Sequence, residues 1–112
     1  AVPSITTHPP SDVDVINSDS TLPTSLKCID KAKPGSSYKW YLNNSEITSN
    51  HAVYAFNDSP SISGKWTTTT SSLKWKDGST EAERRGGSGN IKCTATNDAG
   101  SADKTANVNV QC

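Results

Sequence analysis

Cysteine, histidine, serine and acidic side chains carry most of the chemistry a chain can do without a cofactor, and here they are thinly spread. Three cysteines stand at Cys28, Cys93 and Cys112. An odd count in a small chain leaves either one disulfide with a thiol over, or three free thiols. Zinc ligation does not fit, because no CxxC pair occurs and the two histidines, His8 and His51, stand alone. His51 with Ser49 and Asp58 makes a triad on paper, but no nucleophile or oxyanion motif accompanies it, so no catalytic residue is assigned. Asp12, Asp14 and Asp19 suit a charged strand edge, which discourages edge-to-edge aggregation, better than a calcium site. No metal or other cofactor is expected. Trp66 and Trp75 invite a sugar-stacking reading. Trp75 shares its face with Leu73 and reads as core, while Trp66, near a hairpin turn, stays open between surface and core. Glu81, Glu83, Arg84 and Arg85 read as a solvated charged run before they read as a docking patch. The triplets "NNS" at Asn43 and "NDS" at Asn57 are sequons, so both asparagines are candidate N-glycosylation acceptors and point to the secretory pathway.

The bulk properties narrow the classes further. At 112 residues the chain is long enough for one modest core, so residues 1–112 are expected to form one domain. Lysine plus arginine total 11 and aspartate plus glutamate total 11, so no overall field draws in nucleic acid or an anionic membrane. No stretch approaches the roughly 20 apolar residues of a membrane span, and any membrane attachment would lie outside this segment. The first residue is Ala1, which reads as a processed or excised piece. Serine and threonine number 17 and 13, residue types that suit turns and sheet surfaces better than helix interiors.

The elements that must position these side chains read as strands. "VPSITTH" and "DVDVI" flank the Pro9-Pro10 break, and "SLKCID" and "SYKWYLN" follow. "HAVYAF" is expected to end at the turn "NDSP", and "SISGKW" and "SSLKW" to be joined by the threonine run. "NIKCTAT" and "DKTANVNV" flank "NDAGS". Eight or nine short strands at even spacing are the rhythm of an all-β sandwich. Only "TEAERR", Thr80 to Arg85, has helical character, enough for one short turn. Side chains alternate faces along a strand. Leu26 with Cys28, Tyr38 with Trp40 and Leu42, Leu73 with Trp75, Ile91 with Cys93 and Ala95, and Val108 with Val110 each share a face, and Lys27, Lys39, Lys74 and Lys92 take the other. Cys28 and Cys93 are thereby both inward, with Trp40 inward twelve residues after the first. A disulfide spans a Cα–Cα gap of only about 5.5–6 Å, so such a bridge forms where the two sheets approach closely, with the indole filling the volume beside it. Closing a loop of this length stabilises a fold by roughly 4 kcal/mol on the chain-entropy account.

The order Cys…Trp…Cys, carried by "LKC", "YKWYLNN" and "IKCTATNDAG", resembles an immunoglobulin domain of the intermediate set, over nearly the whole chain. The resemblance implies a two-sheet Greek-key sandwich. It implies an extracellular or cell-surface domain of an adhesion molecule or receptor ectodomain, which binds a protein ligand or a second copy through a sheet face or loops and makes no bonds. Two rivals stand beside it: a carbohydrate-binding module centred on Trp66, and a passive spacer in a tandem array, as in intracellular muscle arrays, with Cys28 and Cys93 reduced. Cys112, past the last strand, is free or pairs outside the segment. The chain departs from the family pattern in two places. Aspartate, glycine and tyrosine usually stand six, four and two residues before the second cysteine. Here Gly87, Gly89 and Ile91 stand there, so the usual tyrosine corner is missing. The stretch between Leu73 and Cys93 is also long, and "KDGSTEAERRGGSG" is expected to bulge as a mobile polar loop with little to hold it.

Overall fold

β-Branched and aromatic residues alternating with polar ones favour pleated backbone half-covered by neighbours, and this pattern recurs from end to end. The computed structural model describes residues 3–16, 22, 25–33, 35–48, 51 and 53–111. Asp19, Ser49 and Cys112 lie outside the described residues. Within them the chain forms β1 Ser4–Thr7, β2 Asp12–Ile16, β3 Lys27–Ala32, β4 Ser37–Leu42, β5 Ser45–Glu46, β6 Tyr54–Ser63, β7 Trp66–Trp75, the helix α1 Glu81–Arg85, β8 Gly89–Asn97 and β9 Gly100–Gln111.

Two sheets stack as a sandwich, in the orders β1-β3-β7-β6 and β2-β9-β8-β4-β5. Every pairing is antiparallel except β2 with β9, which run parallel from Asp12↔Asn107 to Ile16↔Gln111. The inward faces follow the alternation read from the sequence. Leu26, Cys28, Tyr38, Trp40, Leu73, Trp75, Ile91, Cys93, Ala95 and Val108 are all buried in one cluster, and Leu42 and Val110 pack against its margin. The molecule measures 44 × 24 × 21 Å. β1 pairs with the end of β3 next to the β6–β7 turn, and β9 finishes beside Ile16 at the opposite end.

The expectation that β6 would stop at "NDSP" and that the threonine run would be a linker is corrected. β6 continues through "NDSP" to Ser63, pairing Asn57↔Ser72, Asp58↔Ser71, Ser59↔Thr70 and Pro60↔Thr69, and the threonines are the heart of β7. The physical reason lies in the edge. β6 is the outer strand of its sheet, where a proline need not donate into a ladder, and four consecutive β-branched residues favour extension. Pro60 and an inward-facing Asp58 also make this edge a poor template for further strands.

Candidate interaction surface

The centre of the sandwich is a clamp built from both sheets. Cys28 of β3 and Cys93 of β8 are joined across a Cα–Cα distance of 6.6 Å and are 0% and 1% exposed. Trp40 pairs directly with Cys93 in the β4–β8 register and reaches across to β7, where its Nε1 donates to Ser71 Oγ at 2.7 Å. Ser71 is itself the cross-strand partner of Cys28, so a small polar residue stands where bridge and indole leave no room for a larger one. Beyond the clamp the interior turns polar. Tyr38 donates to Asp30 Oδ1 at 3.0 Å and Ser36 donates to Asp30 Oδ2 at 2.5 Å, and the carboxylate is fully buried. Burial, and then the charges of Asp30 and Asp58, raise the Tyr38 phenol far above its ordinary range.

With the inward faces committed to packing, binding chemistry falls to the outward ones. On the five-stranded sheet two rows run across the strands. One is Glu46, Tyr41, Lys92 and Thr105, and the other is Lys39, Thr94 and Asp103. The Lys92 ammonium lies 4.8 Å from the centre of the half-buried Tyr41 ring. A tyrosine between charges of both signs offers apolar area, a hydroxyl and ionic partners on one patch. The outer face of the four-stranded sheet is a carpet of hydroxyls, with Ser59, Ser61, Thr68, Thr70 and Ser72 in register. Trp66 ends it at the hairpin tip, 40% exposed, with Lys31 Nζ 5.5 Å from its ring. The open question over Trp66 is thus answered as surface, while Trp75 is core.

The other candidates separate. Asn43 and Asn44 have φ of 50° and 69°, the left-handed pair that a two-residue hairpin turn requires. The Asn43 N–H donates to Asn90 O at 2.8 Å, and its Oδ1 accepts from the Asn90 N–H at 2.9 Å. Its side chain thereby extends the β4–β8 ladder by one rung. Gly89 must be glycine there: its φ is 142°, and a Cβ would run into the Asn43 amide. Asn57 is exposed on β6 opposite Ser72, with its amide outside the core. The Asp12 and Asp14 carboxylates accept from the Asn107 and Asn109 amides at 3.5 and 3.3 Å. Among the described residues no three His, Cys, Asp or Glu side chains gather to hold a metal. The paper triad is not assembled either. His51 Nδ1 accepts the backbone N–H groups of Val53 and Tyr54, both at 3.1 Å, and Asp58 sits farther along β6 opposite Ser71.

The charged run is more than a solvated loop, and the expectation that "KDGSTEAERRGGSG" has little to hold it is corrected. Thr80 caps α1 with a full capping box: Glu83 N–H donates to Thr80 Oγ1, and the Thr80 N–H donates to Glu83 Oε1. Arg84 lies 4.9 Å over the Trp75 ring, and its Nε donates to Ser79 Oγ at 3.0 Å. The Tyr54 hydroxyl donates to Gly87 O at 2.8 Å inside the core. That bond does the work of the missing tyrosine corner from another strand. Tyr54 stacks on Trp75 at 5.5 Å and His51 on Tyr54 at 6.0 Å, and burial raises the Tyr54 phenol well above its ordinary 10.0. Sequence reading missed Tyr54. It shares a face with Phe56, and a buried tyrosine needs an acceptor, so parity and chemistry together were the available signal.

No family model matches the chain, and no curated protein matches it closely enough to count. Solved structures do. Titin domain M7 superposes with a TM-score of 0.57 at 22% identity, over 99% of this chain and 95% of that one. A complex of Dpr2 Ig1–Ig2 with DIP-Theta Ig1–Ig3 gives 0.62 at 21%, over 97% of this chain and 32% of that one. The complex of titin M10 with an obscurin-like 1 Ig domain gives 0.54 at 17%, over 97% and 93%. The fold is immunoglobulin-like, as the cysteine and tryptophan spacing led one to expect.

Proposed function

We propose that this chain is an extracellular protein-recognition domain of a cell-surface adhesion molecule or receptor, binding through the Tyr41–Lys92 face of the five-stranded sheet. The observation that carries the reading is the Cys28–Cys93 bridge. It is buried between the sheets, and lasting disulfides belong to oxidising compartments. The outward patch supplies the means of binding, and two of the similar structures are complexes between immunoglobulin domains. Asn57, exposed on the opposite sheet, is the sequon whose amide is unencumbered in the fold. A glycan there would leave the Tyr41 face clear.

A spacer in a tandem array is the second reading. It is favoured by the likeness to titin domains and by the placement of β1 and the end of β9 at opposite ends of the sandwich. Two measurements on protein from its natural source separate the readings. Mass spectrometry without reduction, after alkylation of free thiols, should show Cys28 and Cys93 bonded. Alkylated thiols at both would favour the spacer. Binding of the domain to a panel of cell-surface ectodomains should then be abolished by Tyr41→Ala with Lys92→Glu, at unchanged thermal stability. Binding that survives the double change would move the interface elsewhere.

A further inference from the structure

His51 has a task that neither reading uses. Its Nδ1 takes two backbone N–H donors at once, from Val53 and Tyr54 at 3.1 Å each. A ring nitrogen that accepts carries no proton, so the neutral tautomer here bears its hydrogen on Nε2. The two N–H groups belong to the entry of β6, where Lys76 N also donates to Val53 O at 2.8 Å. The same ring packs on Tyr54, which packs on Trp75, over which Arg84 lies. One imidazole therefore anchors the start of the edge strand and the outer end of the stack that leads to α1.

We propose that His51 is a pH-sensitive latch: neutral, it holds the entry of β6, and protonated, it lets that entry and the Tyr54 stack loosen. The proton comes from solvent and adds to Nδ1, consuming the lone pair that both N–H groups share. Two amides lose their acceptor and then face a cation. The surrounding groups act in the same direction. Lys76, at the exit of β7, places a positive charge near the ring, and Tyr54 beside it stays a neutral phenol. Arg84 of α1 sits over the next ring but one. Burial first, and Lys76 second, hold the imidazole below its ordinary 6.5. Protonation is thus harder in the fold than in the unfolded chain. The stabilisation is complete above 6.5 and fades as the pH falls through the folded value. The latch rests on this geometry alone and holds whether the domain binds partners or spaces them.

Hydrogen exchange and imidazole shifts of the isotopically labelled protein, followed by NMR between about pH 8 and pH 5, test it. The Val53 and Tyr54 amide shifts should follow the His51 titration. Their protection, corrected for intrinsic exchange, should fall roughly tenfold, the worth of one or two net hydrogen bonds. The amides of Trp40 and Cys93 should hold. His51→Gln should remove the response, and His8→Gln should leave it intact. A His51 that titrates without moving the Val53 and Tyr54 amides would overturn the proposal, as would the same pH response in His51→Gln. If that variant does not fold, the wild-type amides decide alone.

Discussion

Gly89 and Asn43 meet where the β4–β5 turn crosses the start of β8, and each constrains the other. Gly89→Ala adds a Cβ at a φ of 142° and against the Asn43 amide. We expect a loss of about 2 kcal/mol or more in urea unfolding, from backbone strain and overpacking together. Asn43→Ala removes the Oδ1 acceptor of the Asn90 N–H and leaves the Asn43 N–H bond to Asn90 O in place, and should cost about 1 kcal/mol. In the double variant the steric part disappears while the strained backbone remains, so the combined loss should fall short of the sum. Strict additivity would show that the two residues do not touch in solution. Trp40→Ala deletes a fully buried indole and strands Ser71 Oγ. It should cost about 3–5 kcal/mol, and a loss below about 1 kcal/mol would contradict the packing described here.

Among the elements, α1 and its flanking turns depend most on a single distant side chain. Tyr54→Phe keeps the ring stack but leaves the buried Gly87 carbonyl unpaired, which should cost about 1–3 kcal/mol. The loss should be local. Trypsin should spare Arg84 and Arg85 in the native protein and attack Arg85, which is exposed at the end of α1, several times faster in the variant. Cleavage there at the same rate in both would mean that the Tyr54–Gly87 bond does not hold the loop. Much of this was legible in the sequence. The period-2 alternation located the inward cysteines, Trp40 and the Ile91 face, because burial on one side of a strand imposes that period directly. The helical character of Thr80 to Arg85 was visible as one short turn, but the capping box and the Arg84 contact that hold it were not. The extent of β6 was not, since "NDSP" is turn chemistry until the strand is known to be an edge. The anchoring of Gly87 was also hidden, because its partner lies 33 residues away and on another strand. Asn43 read as a sequon. Its use as a ladder rung appears only when the Asn-Asn turn is laid beside Gly89.

Across the whole molecule the decisive feature is a bridge that closes a loop between residues 65 positions apart. Consider the domain held by its two ends and drawn apart. A pull on the first strand meets the β1–β3 ladder and then the five-residue parallel ladder that links β2 to the last strand, β9, whose rungs share the load together, in shear, rather than one after another. Once it parts, only the 27 residues before Cys28 and the 19 after Cys93 can straighten. At roughly 3.4 Å per residue they span about 150 Å, against about 380 Å for a chain with the cysteines reduced. Single-molecule stretching between the ends should therefore show the short contour length in oxidising buffer and the long one after reduction. A long contour length without reductant would mean that the bridge is open. As long as it is closed, the segment between the cysteines, which carries Tyr41, Lys92 and the His51 latch, is shielded from the pull, while Thr94, Asp103 and Thr105 of the same face lie on the loaded side of Cys93: the sandwich can act as a tether whose central contact residues bear no tension.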